Sequence, residues 1–81
     1  MQWDDLRYVL AVGRAGGLGA AARSLGVAHS TVYRRINQFE EQHRVRCFIK
    51  VADGFELTEA GTQLLKLAEE VEGRMVEAER C

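Results

Sequence analysis

Residues 29–38, HSTVYRRINQ, gather side chains that make hydrogen bonds and ion pairs rather than break covalent bonds. Arg34 and Arg35 are rigid forks of donors, suited to a phosphate or to the acceptor edge of guanine. Ser30, Thr31 and Asn37 add hydroxyl and amide groups, while His29 and Tyr33 add rings with a polar tip. The other side of the same stretch is a thin apolar stripe, Val32, Ile36 and Phe39, spaced i, i+4, i+7 as on one face of a helix. At about 100° per residue, Ser30, Arg34, Asn37 and Glu41 point away from that stripe, with Tyr33 on its shoulder. Such a face is either a reading surface or the solvated side of a small helical bundle. No nucleophile–base set, phosphate loop or pair of catalytic carboxylates accompanies it, so an enzyme is not expected. His29 and His43 lack companion ligands, so neither a metal nor another cofactor is expected.

The bulk numbers bound the partners. Eighty-one residues make one small domain, near the lower limit for a single core. No run is long and apolar enough for a membrane span and no signal peptide opens the chain, so a cytoplasmic protein is expected. Cys47 and Cys81 form neither a disulfide framework nor a Cys-x-x-Cys. Cys81, at the chain end, is expected to be free and exposed. Taken as a single figure, the formal charge of −1 argues against nucleic acid. It hides an asymmetry, because residues 1–55 hold eight bases against five acids and residues 56–81 hold three bases against seven acids. The first part can attract phosphate; the second does not.

The elements that position these groups follow from spacing. Trp3, Leu6, Val9, Leu10 and Gly13 recur at helical intervals, with Asp4 and Asp5 in a first turn, where the helix dipole favours acids. Gly16-Gly17 ends that helix. Leu18, Ala21, Ala22 and Leu25 mark a short second helix closed by Gly26, and a tight turn at Val27-Ala28 leads into the helix with the polar outer face. Helix, short helix, tight turn, helix is the helix-turn-helix arrangement. Cys47–Ile49, the turn "ADG" and Phe55–Leu57 then read as a hairpin wing with Gly54 at its tip. Thr58 is expected to cap a last helix reaching roughly Glu79, about 33 Å at 1.5 Å per residue. Along it Gly61, Leu64, Ala68, Val71, Met75 and Ala78 follow a 3-4-3-4 spacing, the seam of a helix pair. A dimer interface is therefore expected at Leu64, Ala68, Val71, Met75 and Ala78. Leu57 and Leu65 are expected to enter the domain core.

The segments "LRYVLAV", "AARSLGV", "STVYRRI", "FEE" and "LTEAG", at their mutual spacing, resemble the amino-terminal DNA-binding domain of LysR-type transcriptional regulators. The resemblance covers nearly the whole chain. It implies a mainly α winged helix-turn-helix, with a three-helix core and small β-hairpin wing over residues 1–57. A linker and dimerisation helix over 58–81 would follow, without the effector-binding domain that usually comes next. The implied DNA contacts are His29, Ser30, Thr31, Tyr33, Arg34, Arg35 and Asn37 on the third helix, and Lys50 and Gly54 in the wing. Arg34 is expected at a base edge, and Arg35 at a phosphate or at Glu40.

Several positions depart from the family pattern. Ala28 replaces a capping hydroxyl, so Ser30 or water is expected to serve the free amides. His29 stands for a glutamine, Tyr33 for a serine, Asp53 for a wing base and Arg44 for a helix-ending glycine. Cys47 stands where the family carries an apolar residue, so a buried core thiol is expected rather than a redox sensor.

The function expected is sequence-specific double-stranded DNA binding by a bacterial, nucleoid-associated LysR-type regulator acting as a homodimer. Helix 29–42 would lie in the major groove and wing 47–57 on the backbone or minor groove of an inverted-repeat operator. The alternative is a free-standing protein-interaction module that forms a heterodimer with, or antagonises, a full-length regulator.

Overall fold

The structure, a computed structural model, describes residues 1–80; Cys81 and the expectation about its thiol lie outside the described residues. Four helices and one two-stranded hairpin follow in the order α1 (Trp3–Ala15), α2 (Leu18–Leu25), α3 (His29–His43), β1 (Phe48–Val51), β2 (Gly54–Leu57) and α4 (Glu59–Arg80). This is the mainly α winged helix-turn-helix read from the spacing.

Each helix buries the face its sequence marks as apolar. From α1, Tyr8, Val9 and Val12 enter the core; α2 contributes Ala21 and Ala22; α3 contributes Val32, Ile36 and Phe39. Leu18 and Leu25 of α2 pack against the same core beside the two buried alanines. Truncating Phe39 to Ala would cost about 3–5 kcal/mol, the usual range for a buried ring. Cys47 and Phe48 extend the same core under the wing. Leu57 packs against it from the wing's second strand.

The ends of α3 carry two of the departures. Ala28, the residue before it, makes no side-chain cap. Its carbonyl accepts the Thr31 and Val32 N–H groups at 3.0 and 3.3 Å, and Ser30 does not take over the cap as expected. The serine lies inside the first turn, one residue past the helix start, and is exposed. At the other end Arg44 adopts φ 52°, the left-handed conformation that costs an L-residue about 1–2 kcal/mol.

The wing is a two-residue hairpin, with Lys50 opposite Phe55 and Val51 opposite Gly54. Gly54 is therefore the first residue of β2, and the tip is Ala52-Asp53 rather than Gly54. What fixes Gly54 is packing. At φ 137° it brings the wing onto the end of α1, where a β-carbon would overlap the Gly16 carbonyl. That carbonyl accepts the Phe55 N–H at 2.9 Å.

Thr58 caps α4 as expected, its Oγ1 accepting the Gly61 N–H at 3.0 Å. The first half of α4 then lies along α1. Ala68 is fully buried with Leu6 and Leu10, and Leu64, Leu65 and Val71 pack around them. Three residues assigned to a partner-facing seam, Leu64, Ala68 and Val71, thus turn toward α1 of their own chain. A methyl fully covered by its own domain has no surface left for a second protomer. Of that stripe Met75 and Ala78 remain exposed.

Candidate nucleic-acid interface

The outward face of α3 forms first from its helical phase. Burying Val32, Ile36 and Phe39 leaves His29, Ser30, Tyr33, Arg34 and Asn37 exposed, while Thr31 and Arg35 are half-buried. Tyr33 keeps 56 % of its surface, so it is no packing residue. Arg34 has no ion pair or hydrogen bond among the described residues. A row of donors held on a rigid helix with no partners of its own can make bidentate contacts without first breaking any.

Between α3 and the wing runs an open groove of about 740 Å³, lined on one side by His29, Tyr33 and Asn37 and on the other by Arg46, Lys50 and Phe55. Lys50 lines this groove, and so does Arg46, which the resemblance did not imply. The signal was available in the alternation Val45, Arg46, Cys47, where an exposed arginine stands between a half-buried and a buried residue. Gly54 also lines this groove, with its backbone only.

Arg35 departs from its expectation. Its Nη2 donates to Asp4 Oδ2 at 2.7 Å and lies 3.5 Å from Asp5 Oδ1. Its guanidinium carbon stands 4.5 Å from the centre of the Tyr8 ring, a cation–π distance. Arg7 completes the cluster, pairing with Asp4 Oδ1 at 2.9 Å. The hydrogen bond from Arg35, and then that from Arg7, hold the Asp4 carboxyl below its usual range, and Asp4 in turn raises Arg35.

Glu40, the other partner expected for Arg35, is engaged elsewhere. Its Oε2 accepts the backbone N–H groups of Cys47 at 2.7 Å and Phe48 at 3.3 Å. This carboxylate ties α3 to the start of the wing. Burial, reinforced by Glu40, pushes the Cys47 thiol up to about 11, which keeps it protonated and chemically quiet. On the opposite side of the domain Arg14 pairs with Glu72 at 2.8 Å and stands 3.8 Å from Glu69, tying α1 to α4.

Two basic groups on the wing side, a row of exposed donors on the helix and an open groove between them suit an anionic polymer with readable edges. Residues 3–62 match the family model described as bacterial regulatory helix-turn-helix protein, lysR family. The chain is 35 % identical over 80 residues to the HTH-type transcriptional regulator YofA of Bacillus subtilis, covering 99 % of this chain and 28 % of that protein. It is 39 % identical over 66 residues to ClcR of Pseudomonas putida, covering 82 % of this chain and 22 % of that regulator. The chain thus spans about a quarter of the length of these relatives. Among solved structures it is similar to the CbnR DNA-binding domain in complex with DNA, with a TM-score of 0.83 and 32 % identity over 99 % of this chain and 95 % of that one. It shares its fold with the BenM DNA-binding domain on a benA site, with a TM-score of 0.89 at 22 % identity over 96 % of this chain and 88 % of that one.

Proposed function

The chain belongs to the LysR family of bacterial regulatory helix-turn-helix proteins, and from that premise we propose that it reads double-stranded DNA with the outer face of α3. One observation carries the reading: Ser30, Tyr33, Arg34 and Asn37 form an exposed, pre-set row beside the basic groove of Arg46 and Lys50. α3 enters the major groove, Arg34 meets a base edge, and Ser30, Asn37 and His29 fill the remaining contacts. Arg46 and Lys50 hold the phosphates of the flanking strand, which fixes register without reading sequence. Tyr33 packs its ring on a base or a thymine methyl.

The active form is a homodimer whose two α3 helices occupy successive major-groove faces, about 34–36 Å apart, of an interrupted inverted repeat. Leu67 at 41 % and Met75 at 40 % exposure, about 80° apart around α4, supply the pairing surface. Selection from a pool of randomised duplexes tests the reading. Enrichment of an inverted repeat supports it, and recovery of no common sequence after repeated rounds contradicts it.

A further inference from the structure

Arg34 and Arg35 are neighbours in sequence with opposite surroundings. Arg34 is exposed and without an ion pair among the described residues. Arg35, about 100° further round the helix, is drawn against α1, where it meets Asp4 Oδ2 at 2.7 Å, Asp5 Oδ1 at 3.5 Å and the Tyr8 ring at 4.5 Å. Anionic oxygens beside an aromatic face are what a nucleic acid itself offers an arginine.

Stability alone does not account for the arrangement. Asp4 keeps 46 % and Arg35 26 % of its side-chain surface, and ion pairs this exposed add little to folding. Asp4 shares its carboxylate between Arg35 at 2.7 Å and Arg7 at 2.9 Å, so losing Arg35 would still leave it a counter-charge. A free guanidinium on the rim of the reading helix, by contrast, would add a phosphate contact that is blind to sequence.

We propose that Asp4, Asp5 and Tyr8 act as an intramolecular stand-in for DNA that holds Arg35 off the phosphate backbone and so raises discrimination between sequences. The inference rests on the DNA-binding reading above. Asp4 and Asp5 are positioning residues that act through Arg35. Their removal frees Arg35 for any duplex, so affinity for random DNA rises more than affinity for the preferred site; Arg7, which loses Asp4 in the same change, is kept in the triple variant and so is controlled there.

The test compares the parent, Asp4→Asn/Asp5→Asn, Arg35→Gln and the triple variant on a random-sequence duplex over a range of salt. The asparagine pair is expected to bind at least five-fold tighter at low salt and to steepen the slope of log affinity against log salt by about 0.9, the value of one added phosphate contact. Arg35→Gln is expected to keep the parental slope, and the triple variant to show no gain. A parental slope in the asparagine pair overturns the proposal. So does a gain that persists without Arg35, because the acids would then act only as bulk charge. A slope flattened by about 0.9 in Arg35→Gln also overturns it, by placing Arg35 already on phosphate. If the asparagine pair does not fold, the single changes Asp4→Asn and Asp5→Asn, each with and without Arg35→Gln, carry the same comparison. A parent that binds no duplex overturns the DNA-binding reading, and this inference with it.

Discussion

The Cys47 carbonyl sits directly over Gly61, close enough that a β-carbon at position 61 would overlap it. The same carbonyl accepts the Thr58 N–H at 3.0 Å, and Thr58 Oγ1 donates to the Arg46 carbonyl. The start of the wing and the first turn of α4 are therefore one joint. It fixes where Arg46 and Lys50 stand relative to α3.

Gly61→Ala forces that joint open, because the overlapping atoms are backbone and cannot swing aside. It should destabilise the fold by roughly 2–3 kcal/mol, in the range of an overpacked core. A urea midpoint equal to the parent's would show that the joint can relax.

Arg44→Gly should act in the opposite direction. The position holds φ 52°, which glycine adopts freely and arginine does not. Relief of that strain exceeds the added freedom of the unfolded chain, for a net gain of about 0.5–1 kcal/mol. Equilibrium urea unfolding of the two proteins measures it, and a lower midpoint for the glycine variant would contradict the account.

How much of this was legible before the structure depends on the kind of feature. The three core helices, the turn and the wing follow from local spacing such as Val32, Ile36 and Phe39, and the structure has them where expected. The fate of Leu64, Ala68 and Val71 was not legible. A stripe at 3-4 spacing shows which face of a helix is apolar, not whether its own α1 or another chain covers it. Arg35 escaped for a related reason: its partners lie 31 and 30 residues away, on a helix whose approach no local pattern fixes. Gly54 was recognised as special and given a turn's role, when close approach to Gly16 sets it.

Asp4 predicts a pH dependence. Its folded-state pKa lies below the ordinary 3.8, mainly through Arg35 and then Arg7. A depressed carboxyl contributes stability that is present above the unfolded value and lost as pH falls through the folded one. The melting temperature of the parent should therefore exceed that of Asp4→Asn by a small constant margin near neutrality. That margin should shrink as pH drops below 3.8. A margin that grows on acidification would reverse the sign and contradict the ion pair.

The pairing surface gives a further test. Leu67 and Met75 are exposed on α4, whereas Val71 is partly spent on α1. Leu67→Glu with Met75→Glu should shift the sedimentation coefficient to that of a monomer while helix content stays at the parental level. A dimer that survives both changes would place the interface elsewhere.

The most direct measurement of the central claim is affinity for the selected inverted repeat and for a scrambled duplex, taken with the parent and with Arg34→Ala at several salt concentrations. The account predicts that the parent prefers the repeat by a factor on the order of 10³ or more. It predicts that Arg34→Ala loses about 1–3 kcal/mol on the repeat and much less on the scrambled duplex. Equal losses on both duplexes, or no binding at low salt by a folded chain, would contradict the assignment of α3 as a reading helix.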